Sequence, residues 1–304
     1  CKSSLSRSMN MQVFIAQILN GLSIGSVYML LATAFNLLLL VAMIIHFSYP
    51  QVVVFCMYII WLVLKITNNN VFFGILAGVC SAILFNIVSA PLFQKIMKNR
   101  EEVDINATMV LSMAIGWIIT DVLSHAFNNG LPIQFPEEIT GSKPLFRVGL
   151  ISILPGQVLA LTIGIIVVAG FFLLLYKTKT GRAFRAIAED PAGAKLVGIP
   201  LVKTGFQSYA LSGALGGLTA VLLIMLFHSA SPGLGEQVSH KVLAVSIVAG
   251  LGNLVGGLVV GLALGILEAL VQGYISGNWS NAIAFVVMLV VILVKPRGLF
   301  GVKI

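Results

Sequence analysis

Charge is scarce in this sequence. Asp, Glu, Lys and Arg together make up 9% of the 304 residues, where a soluble domain carries roughly 25%. With 59% apolar residues and a mean hydropathy of +1.05, the chain reads as an integral membrane protein. No polar stretch is long enough to build an aqueous domain of its own. Strict alternation of apolar and polar residues is also missing, which disfavours a transmembrane β-barrel. Cysteine is sparse, at 3 residues. Cys56 and Cys80 sit inside apolar runs, as expected of small buried hydrophobes. Cys1-Lys2-Ser3 reads either as a processed lipoprotein start or as a start lying upstream of Met9 or Met11.

The motifs of bond chemistry are missing too. There is no GxxxxGK(S/T), so the chain cannot cradle ATP by the P-loop route. GLGNLVGG (250 to 257) is glycine-rich but lacks the lysine and the strand context of a phosphate loop, and reads as a membrane turn. His46, His125, His228 and His240 are scattered without metal-ligand spacing, so no metal site is assigned. Serines stand singly in apolar runs, where they bond the preceding turn of helix; no nucleophile has an evident base, and no catalytic residue is assigned. The net charge of +8 clusters at loops, which points to membrane orientation and away from nucleic acid.

What is there is a series of apolar runs: 11 to 31, 32 to 46, 51 to 64, 71 to 91, 105 to 127, 151 to 176, 204 to 228, 242 to 254, 256 to 275 and 279 to 295. At about 20 residues per crossing, they predict an all-α, polytopic transmembrane helical bundle of about eight to ten spans. The whole of 1–304 is expected to form one transmembrane domain. Broken helices are expected at HFSYP (46 to 50), where Pro50 removes a donor and biases Tyr49 away from helix, and at GLGNLVGG. Ten passes with both termini in the cytoplasm put all but four of the 18 Lys and Arg residues inside, leaving Lys65, Lys143, Arg147 and Lys241 outside. That asymmetry fits the positive-inside rule. The stretch 128 to 150 becomes an external loop, with Pro132, Pro136 and the pair Glu137 and Glu138, and 177 to 203 becomes a cytoplasmic one.

Local chemistry divides GRAFRAIAEDPAGAKLVGIP (181 to 200) into two short helices. Asp190 is a good N-cap, Pro191 suits the first helical position, and Gly198 suits a left-handed C-terminal position with Pro200 beyond it. The first helix is expected over 181 to 189 and the second over 191 to 197. Ala183, Ala186 and Ala188 keep the surface low, so another chain could approach closely. On physical grounds the segment is either a solvated loop or a docking element for a cytoplasmic partner.

Inside the spans, Gly257, Gly261 and Gly265 recur at helical spacing, and Gly213 and Gly217 make a second small face. Such faces let helices pack closely. The first also carries Glu268. A carboxylate in mid-span costs at least a few kcal/mol unless it finds a partner or water, so Glu268 either hydrogen-bonds within the bundle or lines a pathway. Asn20, Tyr28, Asn36, His46 and Tyr49 are the other pathway candidates, with helix packing as the competing explanation. Asp121 lies nearer the outer end of its span and reads as interfacial.

TGRAFRAIAEDPAGAKLVGIPL (180 to 201), NGLSIGSVYMLLATAFNLLL (20 to 39), KVLAVSIVAGLGNLVGGLVVGLALGILEAL (241 to 270) and the tail KPRGLFG (295 to 301) together resemble the branched-chain amino acid ABC importer permeases, over nearly the whole chain and in that family's order. The resemblance implies a loop that docks on a separate ATPase, with Arg182 and Arg185 as ion-pairing residues and Ala186, Ala188, Glu189 and Gly198 at the contact. It implies two cytoplasmic P-loop ATPase subunits as partners, a second permease that is identical or homologous, and an extracytoplasmic solute-binding protein touched by the external loop. It places the chain in the bacterial inner membrane, moving branched-chain or other apolar amino acids by alternating access. ATP and Mg would sit on the partner ATPases, with no cofactor on this chain. Departures occur at HFSYPQ, where only Phe47 matches the family's usual Asn-Phe-Ala-His-Gly pattern, and these bear on the substrate. An ion-coupled secondary transporter with Glu268 or Asp121 as coupling carboxylate, a channel, and an importer of urea, short amides or sugars are the alternatives.

Overall fold

The structure is a computed structural model that describes residues 2–98, 105–141, 144–148 and 151–301; Cys1 and Lys143 lie outside them. In chain order the helices are α1 (Lys2–Ala42), α2 (Tyr49–Ile66), α3 (Val71–Lys98), α4 (Ile105–Ala126), α5 (Glu137–Thr140), α6 (Pro155–Lys177), α7 (Lys179–Glu189), α8 (Pro191–Leu196), α9 (Leu201–Phe227), α10 (Leu234–Ala249), α11 (Leu254–Tyr274) and α12 (Ser280–Val294). Seven of them are long and apolar enough to cross a membrane. The shorter α10 and α12 pack on one another and on α11. The chain is a multi-pass, all-α membrane protein.

The expected breaks fall where the backbone chemistry puts them. α1 ends at Ala42, Met43 takes a left-handed φ of 55°, and α2 restarts with Pro50 in its first turn. Between Ala249 and Leu254, Gly250 and Gly252 adopt φ of 98° and 81°, a geometry glycine enters without steric cost. Elsewhere the boundaries differ from expectation. The runs 11 to 31 and 32 to 46 belong to one helix, because nothing between Met29 and Ala42 interrupts good helix formers. α10 begins eight residues before the expected run at 242, since LGEQVSHK is polar enough to pass for a connection.

Among the described residues, four short strands lie at one end of the bundle. β1 (Ile133–Gln134) pairs with β4 (Ser229–Ala230), which straps the connection after α4 to the one after α9, and β2 (Phe146–Val148) with β3 (Ile151–Ile153) forms a hairpin that leads into α6. α6 runs from this hairpin end to α7 and α8, which mark the opposite, loop end. α1 lies antiparallel to α11: Gly21 faces Ile266 while Gly257 faces Asn36. Ser23 and Asn20 meet Gln157 at the start of α6, so α1 enters at the hairpin end. The tail after α12 packs on Val248 and Ala249, towards the loop end. Asn20 and Ser23 of α1 and the tail after α12 thus lie towards opposite ends of the bundle. α1 takes in two runs that were each expected to make their own pass.

The interior is built on α1, α2 and α9, with Leu30, Leu31, Leu37, Tyr49, Tyr58 and Tyr209 fully buried. Serine stitches α1 to α6 and to α9: Ser26 Oγ donates to Ala160 O at 3.0 Å and Ser212 Oγ to Ala34 O at 2.9 Å. α3, α4 and α6 instead turn large apolar side chains outward, Leu84, Trp117 and Ile166 among them, as a lipid-facing surface requires. Cys56 is buried as expected, whereas Cys80 sits on the outward face of α3, because two cysteines in apolar runs need not share a helix face.

Candidate functional site

Glu268 finds its partners on two other helices. Lys241, two turns into α10, donates from Nζ to Glu268 Oε1 at 2.5 Å. Tyr28 on α1 donates from its hydroxyl to Oε2 at 2.7 Å, and Gln272, one turn further along α11, reaches Oε1 at 3.5 Å. The ammonium also lies 5.5 Å from the centre of the Tyr28 ring, within cation–π range. Glu268 is 2% exposed and Lys241 13%. The pair is not packed over: it forms one wall of a cavity of about 400 Å³ that also takes in Ile24, Ser231, Leu234, Gln237 and Val238. Pro132 and Ser229 flank the cavity, so it lies towards the hairpin end. Lys241 was expected outside; it sits within the bundle, and it supplies the counter-charge that a mid-span carboxylate needs. Its role is hidden in the sequence because it stands just ahead of the apolar run that begins at 242.

The remaining pathway candidates are dispersed. Asn20 accepts a hydrogen bond from Gln157 Nε2. Asn36 is fully buried and takes the backbone N–H of Gly252 on its Oδ1 at 3.2 Å, which holds the turn between α10 and α11. Tyr49 donates to Ser212 O at 2.8 Å. His46 pairs its Nδ1 with Ser48 Oγ at 3.1 Å and tilts against Phe93. None of these four lines the Glu268 cavity; Tyr28 alone among the candidates joins Glu268 there. The packing glycines face neighbouring backbone: Gly213 and Gly217 lie against Ile83 and Val79 of α3, Gly261 against Met29 and Gly265 against Gly25 of α1. Among the described residues no group of three or more His, Cys, Asp and Glu could hold a metal ion.

At the loop end, α7 and α8 form the two-helix element expected from the sequence. Asp190 Oδ1 caps α8 by accepting from Ala192 N at 3.0 Å, Thr178 Oγ1 caps α7 by accepting from Gly181 N at 3.0 Å, and Gly198 takes φ of 85°. Gly181, Phe184, Ile187 and Ala194 turn inward and fasten the element to the bundle. Arg182, Arg185 and Glu189 face out, while Ala186 and Ala188 are only half-exposed. Arg185 stacks its guanidinium 4.8 Å over the Tyr176 ring. The most exposed apolar side chains on this element are Leu196 and Val197, at 88% and 78%. The sequence does not single them out, because an apolar pair at the end of a short helix looks like core.

A polytopic bundle with a charged cavity towards one end and a capped two-helix loop at the other is the arrangement against which sequence relatives can be set. The family described as branched-chain amino acid transport system / permease component matches residues 17–292. The chain belongs to this family. Among relatives, the high-affinity branched-chain amino acid transport system permease protein BraD of Pseudomonas aeruginosa is 25% identical over 95% of this chain and 96% of its own length. The corresponding permease LivH of Escherichia coli is 24% identical over the same shares. A probable branched-chain amino acid transport permease LivH of Methanocaldococcus jannaschii reaches 41% identity over 30% of this chain and 28% of its own length. No solved structure matches. As a family member the permease is a transport component.

Proposed function

We propose that this permease spans the bacterial inner membrane as one half of an ATP-driven importer for branched-chain or other apolar amino acids. The loop end faces the cytoplasm, where the α7–α8 element of each of two permeases rests on one of two P-loop ATPases, and the hairpin end receives cargo from an extracytoplasmic solute-binding protein. The observation that carries this reading is the pair Leu196 and Val197, held in the open at 88% and 78% exposure on an element that Phe184, Ile187 and Ala194 fasten to the bundle. Exposed apolar side chains on a charged, capped element fit a protein contact better than a free surface. ATPase closure would pull this element and, through α6 and α9, its two neighbours in the chain, open or close the pathway.

An ion-coupled carrier is the second reading, because Glu268 is a buried carboxylate beside a cavity. Its pairing with Lys241 weakens that reading, since a coupling carboxylate must give up its charge or its ion during the cycle. Asp121, the other candidate, has a side chain 75% exposed. The deciding experiment is purification of the tagged permease from native membranes in mild detergent, followed by uptake in vesicles with ATP present and ion gradients dissipated. A stoichiometric P-loop ATPase and uptake that survives loss of the gradients are expected. A permease that comes down alone and transports only with a gradient would overturn the importer.

A further inference from the structure

Buried ion pairs are usually enclosed by side chains that complete their hydrogen bonds. The Lys241–Glu268 pair is different: both groups are largely shielded from solvent, yet they form one wall of a cavity of about 400 Å³, a size typical of small-molecule sites. Tyr28, itself part of the cavity lining, holds Oε2, while Lys241 and Gln272 meet Oε1, so the carboxylate is oriented among groups that all border the cavity. Ile24, Leu234 and Val238 supply an apolar wall in the same space.

We propose that this pair is the recognition point for the charged head of the cargo, an α-amino acid zwitterion, with its carboxylate drawn to Lys241 Nζ and its ammonium to Glu268. This rests on the importer reading above and names the feature of the substrate that the permease itself reads. The physical reason is one of exchange. A zwitterion carries opposite charges one carbon apart, so it replaces each partner of the pair with a like-charged group of its own, and neither buried charge is left alone. A solute with one charge can satisfy only one of the two, and stranding the other is strongly unfavourable. A neutral amide or sugar offers neither. Discrimination of this kind comes from what would be left unpaired, and it is steeper than discrimination by apolar fit. The apolar wall then accommodates the side chain with little selectivity among aliphatic amino acids.

The test uses the assembled complex, with its ATPases and solute-binding protein, in proteoliposomes with labelled leucine as probe, and reads leucine moved per ATP hydrolysed. Lys241→Met and Glu268→Gln are each expected to lower that ratio by about tenfold or more while stimulation of hydrolysis by the binding protein persists. The exchanged double variant, Lys241→Glu with Glu268→Lys, is expected not to restore it, because the zwitterion would have to bind reversed with its side chain directed away from the apolar wall. Restoration by the exchange, or an unchanged ratio in both single variants, overturns the proposal and makes the pair a purely structural one. If a single variant fails to assemble, Glu268→Asp keeps the charge and withdraws it by one methylene; an unchanged half-saturating leucine concentration in that variant equally overturns it. Absence of ATP-dependent uptake by the unaltered complex would instead overturn the importer reading itself.

Discussion

Gly265 of α11 lies directly against the backbone of Gly25 on α1: a Cβ placed on Gly265 would overlap Gly25 N and Cα, and one on Gly25 would come within 2.9 Å of Leu262 Cα. Backbone, unlike the end of a flexible side chain, cannot step aside, so the two helices would have to separate along the contact that also carries Gly21 and Gly261. Gly265→Ala is therefore expected to destabilise the folded permease by about 1–3 kcal/mol, the usual cost of overpacking, despite the better helix propensity of alanine. Thermal unfolding of the purified protein in detergent measures it. Gly170, where an added methyl would meet nothing within 4 Å, is the matched control, and Gly170→Ala should leave the midpoint unchanged or slightly raised.

Asn36 answers for a different part of the bundle. Its Oδ1 accepts from Gly252 N at 3.2 Å and its Nδ2 lies 3.5 Å from Asn253 O, so one side chain holds both polar groups of a turn that α10 and α11 leave unfinished. Asn36→Leu keeps the volume and strands a buried N–H, which costs about 1–3 kcal/mol. Lower thermal stability with faster hydrogen exchange at residues 250–253 is the expected outcome. Unchanged exchange there would show that the turn holds without the clamp.

These two positions illustrate what could be read ahead of the structure. Small-residue spacing along α11 pointed to a close helix contact, because that rule concerns one helix at a time, whereas Asn36 stood between a place on the pathway and a role in packing. Which helix stands opposite is a long-range property. Nothing in the sequence near residue 36 names Gly252, and nothing near 268 names Lys241. The joint and the cap of α8 were legible because Asp190, Pro191 and Gly198 act on their immediate neighbours, whereas the Thr178 cap, which starts α7 at Lys179, two residues before the expected 181, was not read. The outward direction of Leu196 and Val197 was not, since it depends on how the element sits on α6 and α9.

That outward pair gives the next prediction. Leu196→Asp with Val197→Asp places two charges on side chains that are 88% and 78% exposed, so the permease should fold with its stability within about 0.5 kcal/mol of the parent. Burying those charges in a contact would be costly. Loss of the co-purifying ATPase with an unaltered unfolding midpoint is expected. Retention of a full complement of ATPase would show that docking uses the exposed Arg182, Arg185 and Glu189 face instead.

The tail KPRGLFG closes over the turn from the other side. Leu299 N donates to Val248 O at 2.8 Å, Phe300 N to Ala249 O at 3.1 Å, and Asn253 Nδ2 to Phe300 O at 2.7 Å. The first two satisfy carbonyls at the end of α10 that have no partner within the helix. The approach is close enough that Gly298, at φ of 83°, lies against the backbone of Gly250. Gly298→Val combines a strained left-handed valine, about 1–3 kcal/mol, with a clash against that backbone, so the tail should lift and expose the amide N–H groups of Leu299 and Phe300 to exchange. Because Leu196 and Val197 are not part of this contact, ATPase co-purification should persist while proteolysis after residue 294 increases. Protection of the tail equal to that of the parent would mean that the clasp tolerates valine and that its hold rests on the hydrogen bonds of Leu299 and Phe300 alone.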